Sequence, residues 1–214
     1  MVPLLPQGAH LRGAKSVRFE AMANFELAGV LVARGKLDDA LRHYQAALPG
    51  FRQARDSFQE GRTLNGIGNV YFLTGFREKA WESYMASYSI ARDTQNDVLL
   101  SRSLNNLGSV ARVTGRYAEA IDFDQRSLEL KLRTKDEVGA ARTYSGLGTT
   151  YFKLGNYSKA LEYYKTALGV FQTKVPGEAS VVLNNLGSTL KNLERYDEAL
   201  DFLKKAYEVG EARR

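Results

Sequence analysis

The stretch LNNLGSVARVTGRYAEAIDFDQRSL, residues 104–128, decides the fold. Leu104, Leu107, Gly108 and Ala111 recur at the three- and four-residue steps that put side chains on one face of a helix. Thr114-Gly115 interrupts that face, and a glycine takes the left-handed backbone that ends a helix without steric penalty. Tyr117, Ala120, Ile121, Phe123 and Leu128 then open a second amphipathic face, with Ala120 small where two helices would approach closely. The spacing predicts a helix, a tight turn and a second helix packed back on the first.

The same pattern recurs along the chain. It reads LNGIGNVYFLTGFREKAWESYMAS at 64–87, YSGLGTTYFKLGNYSKALEYYKTA at 144–167 and LNNLGSTLKNLERYDEALDFLKKA at 183–206; a more divergent copy, NFELAGVLVARGKLDDALRHYQAA, occupies 24–47. The small residue of the first helix falls at Ala28, Gly68, Gly108, Gly148 and Gly187. The alanine of the second falls at Ala40, Ala80, Ala120, Ala160 and Ala199, and a further small residue at Ala47, Ser87, Ser127, Ala167 and Ala206. Five matches at each of three positions are not chance.

A large apolar residue, then Leu-Gly, then Tyr, then Gly-x-Tyr-x-x-Ala, then an aromatic and a small residue is a pattern that resembles the tetratricopeptide repeat (TPR), over nearly the whole chain. The period is about 40 residues where the usual one is about 34, which resembles the Leu-Gly-Asn repeat scaffolds, kinesin light chains and bacterial TPR regulators. The resemblance implies an all-α, right-handed superhelical array of about five helix-turn-helix repeats. Two departures fall in the turns. Phe76-Arg77 inverts the usual polar-aromatic order, and Glu194 replaces the turn glycine of Gly35, Gly75, Gly115 and Gly155; both turns are expected to be slightly altered.

Repeats are expected at 16–60, 61–100, 101–140, 141–179 and 180–214, after a leader or capping segment at 1–15 in which Val2, Leu4, Leu5 and Leu11 are available to pack on the first repeat. The first helix is expected to start near Ser16 as its cap. Pro49 is expected to kink or end the second helix early, because proline disfavours helical backbone in the residue before it. The links DTQNDVLL, TKDEVGA and TKVPGEA read as short polar connections, Pro176-Gly177 being the clearest break. The N-terminus lacks the cationic and apolar runs of a signal peptide, and no stretch approaches the length of a membrane span. In the last helix Leu203, Tyr207 and Val209 have no following repeat to cover them, so either another chain meets them through self-association or a longer protein continues there.

Composition narrows the chemistry. With no cysteine there is no disulfide framework, thiolate metal site or cysteine nucleophile, which fits a reducing, cytoplasmic setting. The formal charge of +6 favours acidic partners. Neither His10 nor His43 has a catalytic or metal-ligand pattern around it, no glycine-rich phosphate loop appears, and Asp38-Asp39 sit at a helix start that favours acids. A non-enzymatic chain with no catalytic residue, cofactor or metal is expected.

What remains is a binding surface. With the Leu-Gly glycine as position eight of each repeat, positions four, seven, eight and eleven point one way and positions two, five, nine and twelve point away. The second set is Arg62, Asn65, Asn69 and Phe72; Arg102, Asn105, Ser109 and Arg112; Arg142, Ser145, Thr149 and Phe152; and Asn184, Ser188 and Lys191. The family resemblance implies that this set lines a concave groove. Arginines offer a fork suited to carboxylates, and asparagines can meet an extended peptide backbone. The expected ligand is an extended acidic peptide segment of a partner protein. In the first repeat the corresponding Met22, Phe25, Gly29 and Val32 suit an apolar anchor or a covering leader. Three alternatives stand beside this. The arginines would brace the repeats by pairing with Glu60, Asp97 and Glu137; the chain would be a sensor or regulatory module of a larger signalling protein; or it would bind single-stranded nucleic acid, which the modest charge and the absence of a basic run disfavour.

Overall fold

The computed structural model describes residues 7–211, with side chains from Ser16 onward. Ten α-helices run in consecutive antiparallel pairs among them, with no strand. They are α1 Gln7–Ala33 and α2 Leu37–Gln53; α3 Ser57–Leu73 and α4 Arg77–Asp93; α5 Asp97–Val113 and α6 Tyr117–Arg133; α7 Glu137–Lys153 and α8 Tyr157–Lys174; and α9 Ala179–Asn192 and α10 Tyr196–Glu211. A single 3-10 turn, Pro176–Glu178, precedes α9. Helix pairs at the quoted repeats are what the sequence predicts.

Two kinds of turn punctuate the chain. Within a pair, Gly35, Gly75, Gly115 and Gly155 take φ of 72° to 89°. Glu194 holds the same left-handed region at φ 58° despite its Cβ, and Phe76 begins α4 with the backbone that Lys36, Arg116 and Asn156 use at their helices. The two departures therefore leave the turns as they are. Between pairs, Arg55, Gln95 and Lys135 take φ of 52° to 58°, and the next residue caps the new helix. Asp56 accepts from Gln59 N at 3.1 Å, Asn96 from Leu99 N at 2.9 Å and Asp136 from Gly139 N at 2.9 Å. An N-cap of this kind contributes about 1 kcal/mol.

Three expectations need correction. The helix start is at Gln7, directly after Pro6, and passes through Ser16; residues 7–15 hold nothing that would stop a helix once it has begun. Packing of Val2, Leu4, Leu5 and Leu11 lies outside the described residues and side chains. Helix α2 does not end early but continues through Pro49 to Gln53. An internal proline costs about 3 kcal/mol, and the turn beyond it holds Phe51, fully buried, and Gly50, whose absent Cβ would lie 2.7 Å from Ala21. The links are also shorter than they read, since residues 97–100 and 137–140 already belong to α5 and α7.

Packing divides the chain into two units, residues 1–106 and 107–214. The first is built on Phe25, Tyr44, Phe51, Ile67 and Val70 with Ala21, Ala28, Ala40 and Ala47; Phe25 stands edge-on to Tyr44 at 5.5 Å. The second is built on Leu161, Tyr164, Leu168, Phe171, Val182, Leu183, Leu186 and Leu190. Ala40, Ala80, Ala120 and Ala160 are completely buried. Opposite them the first-helix glycines admit a ring: a Cβ on Gly68 would fall 2.5 Å from Tyr84, and one on Gly148 2.8 Å from Tyr164.

Candidate functional site

The stripe at positions two, five, nine and twelve is not uniform. In the first unit Arg62 is half-buried on α3, stacked over Phe25 at 4.6 Å and donating to Gln59 Oε1 at 3.0 Å. Asn65 is buried. Its Nδ2 donates to Ser103 Oγ at 3.1 Å and its Oδ1 accepts from Asn106 Nδ2 at 3.3 Å, so it ties α3 to α5 and drops out of the candidate surface. Asn69 is exposed, with Oδ1 accepting from Tyr84 OH at 2.7 Å. Half-buried Phe72 lies under the Arg77 guanidinium at 4.5 Å. Arg102 is exposed on α5 and has no ion-pair partner among the described residues, and Asn105 beside it is half-buried. At the first repeat Phe25 is buried and Met22 and Val32 are half-buried, while Gly29 is open. His43 is half-buried, its Nδ1 2.8 Å from Asn24 Oδ1.

In the second unit Ser109 is half-buried. Arg112 is an internal residue: it pairs with fully buried Asp124 at 2.5 Å and donates through Nε to Thr150 Oγ1 at 2.9 Å, so it too leaves the surface. Arg142 is exposed but engaged by Glu178, donating at 2.8 Å through Nε and 2.5 Å through Nη2, and this pair raises the guanidinium pKa. Ser145 and Thr149 continue the same face of α7, and Thr149 Oγ1 accepts from Tyr164 OH at 3.1 Å. Phe152 packs edge-on to Tyr157 at 5.3 Å. Asn184, Ser188 and Lys191 are exposed on α9.

The bracing partners foreseen from sequence are not the ones used. Glu60 accepts from Arg52 at 2.8 Å, and Glu137 pairs with Lys174 at 3.3 Å. Arg142 instead takes Glu178, which the next link brings to it.

Two cavities gather predicted residues. One of about 210 Å³ joins Thr149, Phe152 and Ser188 to Lys153, Tyr164 and Asn185. Another of about 280 Å³ joins Arg142 and Ser145 to Phe171, Gly177, Glu178, Val181 and Val182. Tyr164 and Tyr84 were not singled out from sequence, yet their hydroxyls set the orientation of Thr149 and Asn69; burial raises the pKa of both phenols. The signal was present as a second-helix tyrosine at Tyr44, Tyr84 and Tyr164, broken by Asp124 in the third repeat and Leu203 in the fifth.

On α10 an exposed apolar row comprises Tyr196, Leu200, Leu203 and Tyr207. Val209 does not belong to it, being half-buried against the core of the second unit. Among the described residues no group of three or more histidine or acidic side chains could hold a metal ion, and no helix is long and apolar enough to cross a membrane.

Models of the tetratricopeptide repeat match residues 19–93 and 99–173, and a second model of the same description matches 145–213. No curated protein sequence is significantly similar to the chain. Among solved structures it is similar to BtubC from P. vanneervenii, with 19% identity and a TM-score of 0.76 over 96% of this chain and 92% of that one. It is similar to a Rap protein complexed with Competence and Sporulation Factor, with 16% identity and a TM-score of 0.81 over 89% of this chain, which spans 54% of that one. It is similar to a putative kinesin light chain of Podosopora anserina, with 14% identity and a TM-score of 0.67 over 90% and 96% of the two chains. At these identities the structures bear on the fold alone, while the sequence models cover almost the whole chain: it belongs to the tetratricopeptide repeat family.

Proposed function

We propose that this protein is a non-enzymatic adaptor that binds an extended acidic segment of a partner protein along the first helices of its repeats. The family fold favours protein interaction. The observation that carries the finer reading is Arg102, an exposed arginine of the second position with no ion-pair partner among the described residues. An arginine fork suits a ligand carboxylate. Asn69 supports the backbone contacts. With its Oδ1 taken by Tyr84 OH, its Nδ2 is left to donate to a ligand carbonyl. Asn184, Ser188 and Lys191 supply exposed polar and cationic groups on α9. Arg62 and Arg142 contribute after exchange of their present partners. A protein found by an interaction screen is expected to be retained on the immobilised chain after nuclease treatment, and to be lost on Arg102→Glu.

A second reading, a regulatory module within a larger signalling protein, is favoured by the match to about half of the Rap chain. It would act through the same surface, and the sequence encoded beyond Arg214 tests it.

A further inference from the structure

The link between α8 and α9 departs from the others. Where Asp56, Asn96 and Asp136 cap their helices, this link reads Val175-Pro176-Gly177-Glu178, and Glu178 stands at the capping position without accepting from the backbone of α9. Its carboxylate turns to Arg142 on α7 and accepts from Nε and Nη2, one edge of the guanidinium. Both side chains stay substantially exposed, at 55% for Arg142 and 37% for Glu178. An exposed pair contributes modest stability, more for bidentate geometry such as this, a hold that a ligand carboxylate of the same geometry contests.

Beside the pair opens the cavity of about 280 Å³. Phe171 and Val182, both core residues, and exposed Val181 supply apolar wall, while Arg142 and Ser145 stand on the α7 side. Its walls of Phe171, Val181 and Val182 beside the Arg142 guanidinium suit an aliphatic side chain that neighbours a carboxylate.

We propose that Arg142 and this cavity form a two-part subsite for one step of a bound peptide: a carboxylate that takes Arg142 from Glu178, and a neighbouring aliphatic side chain that enters between Phe171, Val181 and Val182. Glu178 is then an internal stand-in for the ligand's acid. The inference rests on the reading of the chain as a binder of acidic segments and narrows it to acids flanked by leucine-like residues. Burying the aliphatic group supplies the gain that an exposed ion pair alone does not. An aspartate side chain and a C-terminal leucine carboxylate share this chemistry.

The test uses fluorescein-labelled decapeptides in fluorescence anisotropy: one with two Asp-Leu steps in a Ser/Gly background and an amidated end, its Leu→Ala counterpart, and one without aspartate that ends in a free leucine carboxylate. Glu178→Gln is expected to tighten the leucine probes roughly three- to tenfold, because the internal competitor is gone, and Arg142→Gln to weaken them by about tenfold or more. Glu137→Gln, which removes the same charge from the exposed pair with Lys174, is expected to leave affinity nearly unchanged. Val181→Ser is expected to weaken the leucine probe and spare its alanine counterpart. Binding of the amidated probe names an internal acid as the ligand group, and binding of the free-ended probe alone names a chain terminus; either upholds the proposal. It is overturned if Glu178→Gln binds no more tightly than Glu137→Gln, if Val181→Ser affects both probes alike, or if neither the parent nor Glu178→Gln binds any probe at millimolar concentration. Arg102→Glu on the same probes separates the two readings. Weakening by Arg102→Glu with no gain from Glu178→Gln leaves the broader surface standing and removes the subsite, and the reverse result removes the broader surface.

Discussion

The third repeat replaces the tyrosine carried by the first, second and fourth (Tyr44, Tyr84, Tyr164) with Asp124, and replaces the phenylalanine of the second and fourth (Phe72, Phe152) with Arg112. The two substitutions compensate each other. Asp124 is fully buried, the Arg112 side chain is 13% exposed, and they meet at 2.5 Å. Arg112→Phe alone is expected to destabilise by about 3–5 kcal/mol, because it removes the cationic partner of a buried carboxylate. That is a large part of the ~5–15 kcal/mol available to a typical protein. Asp124→Tyr alone leaves the guanidinium half-buried without its acid and is expected to be destabilising in the same direction. Together they restore the arrangement of the neighbouring repeats. A ring in place of Asp124 would meet Gly146 as the Tyr44 ring meets Gly66, where an added Cβ would lie only 2.6 Å away. Ser109 stands where Asn69 and Thr149 accept from Tyr84 and Tyr164. Replacing a buried ion pair by well-packed groups is often neutral or stabilising by about 1–4 kcal/mol, so the double variant is expected to equal or exceed the parent. Urea unfolding followed by circular dichroism reads the cycle, with hydrogen exchange on α6 and α7 because repeat proteins unfold in segments. An Arg112→Phe variant as stable as the parent, or a double variant no better than that single one, would refute the reasoning.

Three further outcomes are expected. Ala120→Leu, at a fully buried contact, should cost roughly 1–3 kcal/mol by overpacking, and an unchanged melting temperature would contradict the helix register. Asn65→Ala should destabilise by about 1 kcal/mol by removing the hydrogen bonds to Ser103 and Asn106 that tie α3 to α5, so thermal unfolding is the place to see it, and a change in ligand affinity without a stability change would return Asn65 to the binding surface. The exposed row Tyr196, Leu200, Leu203 and Tyr207 on α10 should make the 214-residue chain self-associate weakly, and Leu200→Glu with Tyr207→Glu should abolish this; sedimentation velocity showing a strict monomer at rising concentration would exclude it.

Periodicity carried most of the fold. The recurrence of small residues from Ala28 to Gly187 located all five helix pairs, because each such residue answers a steric need that recurs with the repeat. What it missed was local. The left-handed Arg55, Gln95 and Lys135, each followed by Asp or Asn, could have been read as link signals at the same period. Pro49 was overridden because the burial of Phe51 supports the turn beyond it. At the surface, residues of one register met different fates. Position twelve is Phe72 and Phe152 in two repeats and Arg112 in another, and only the side chain across the helix pair, Asp124, determines that Arg112 turns inward. Position five is buried at Asn65 and exposed at Asn184. A face angle computed from spacing assigns direction, while burial depends on what the neighbouring helix presents.

The central claim is that an exposed ladder of first-helix residues, anchored at Arg102, recognises an acidic segment. The measurement that tests it most directly is the affinity of the parent, Arg102→Ala and Arg102→Glu for a partner segment identified by an interaction screen, at low and high salt. Micromolar binding is expected for the parent, weakened by salt through screening. It should be reduced by Arg102→Ala and reduced further by Arg102→Glu, which sets like charge against the ligand. If both variants fold as the parent does and bind the segment as tightly, Arg102 takes no part in recognition and the first-helix surface is not where the ligand lies.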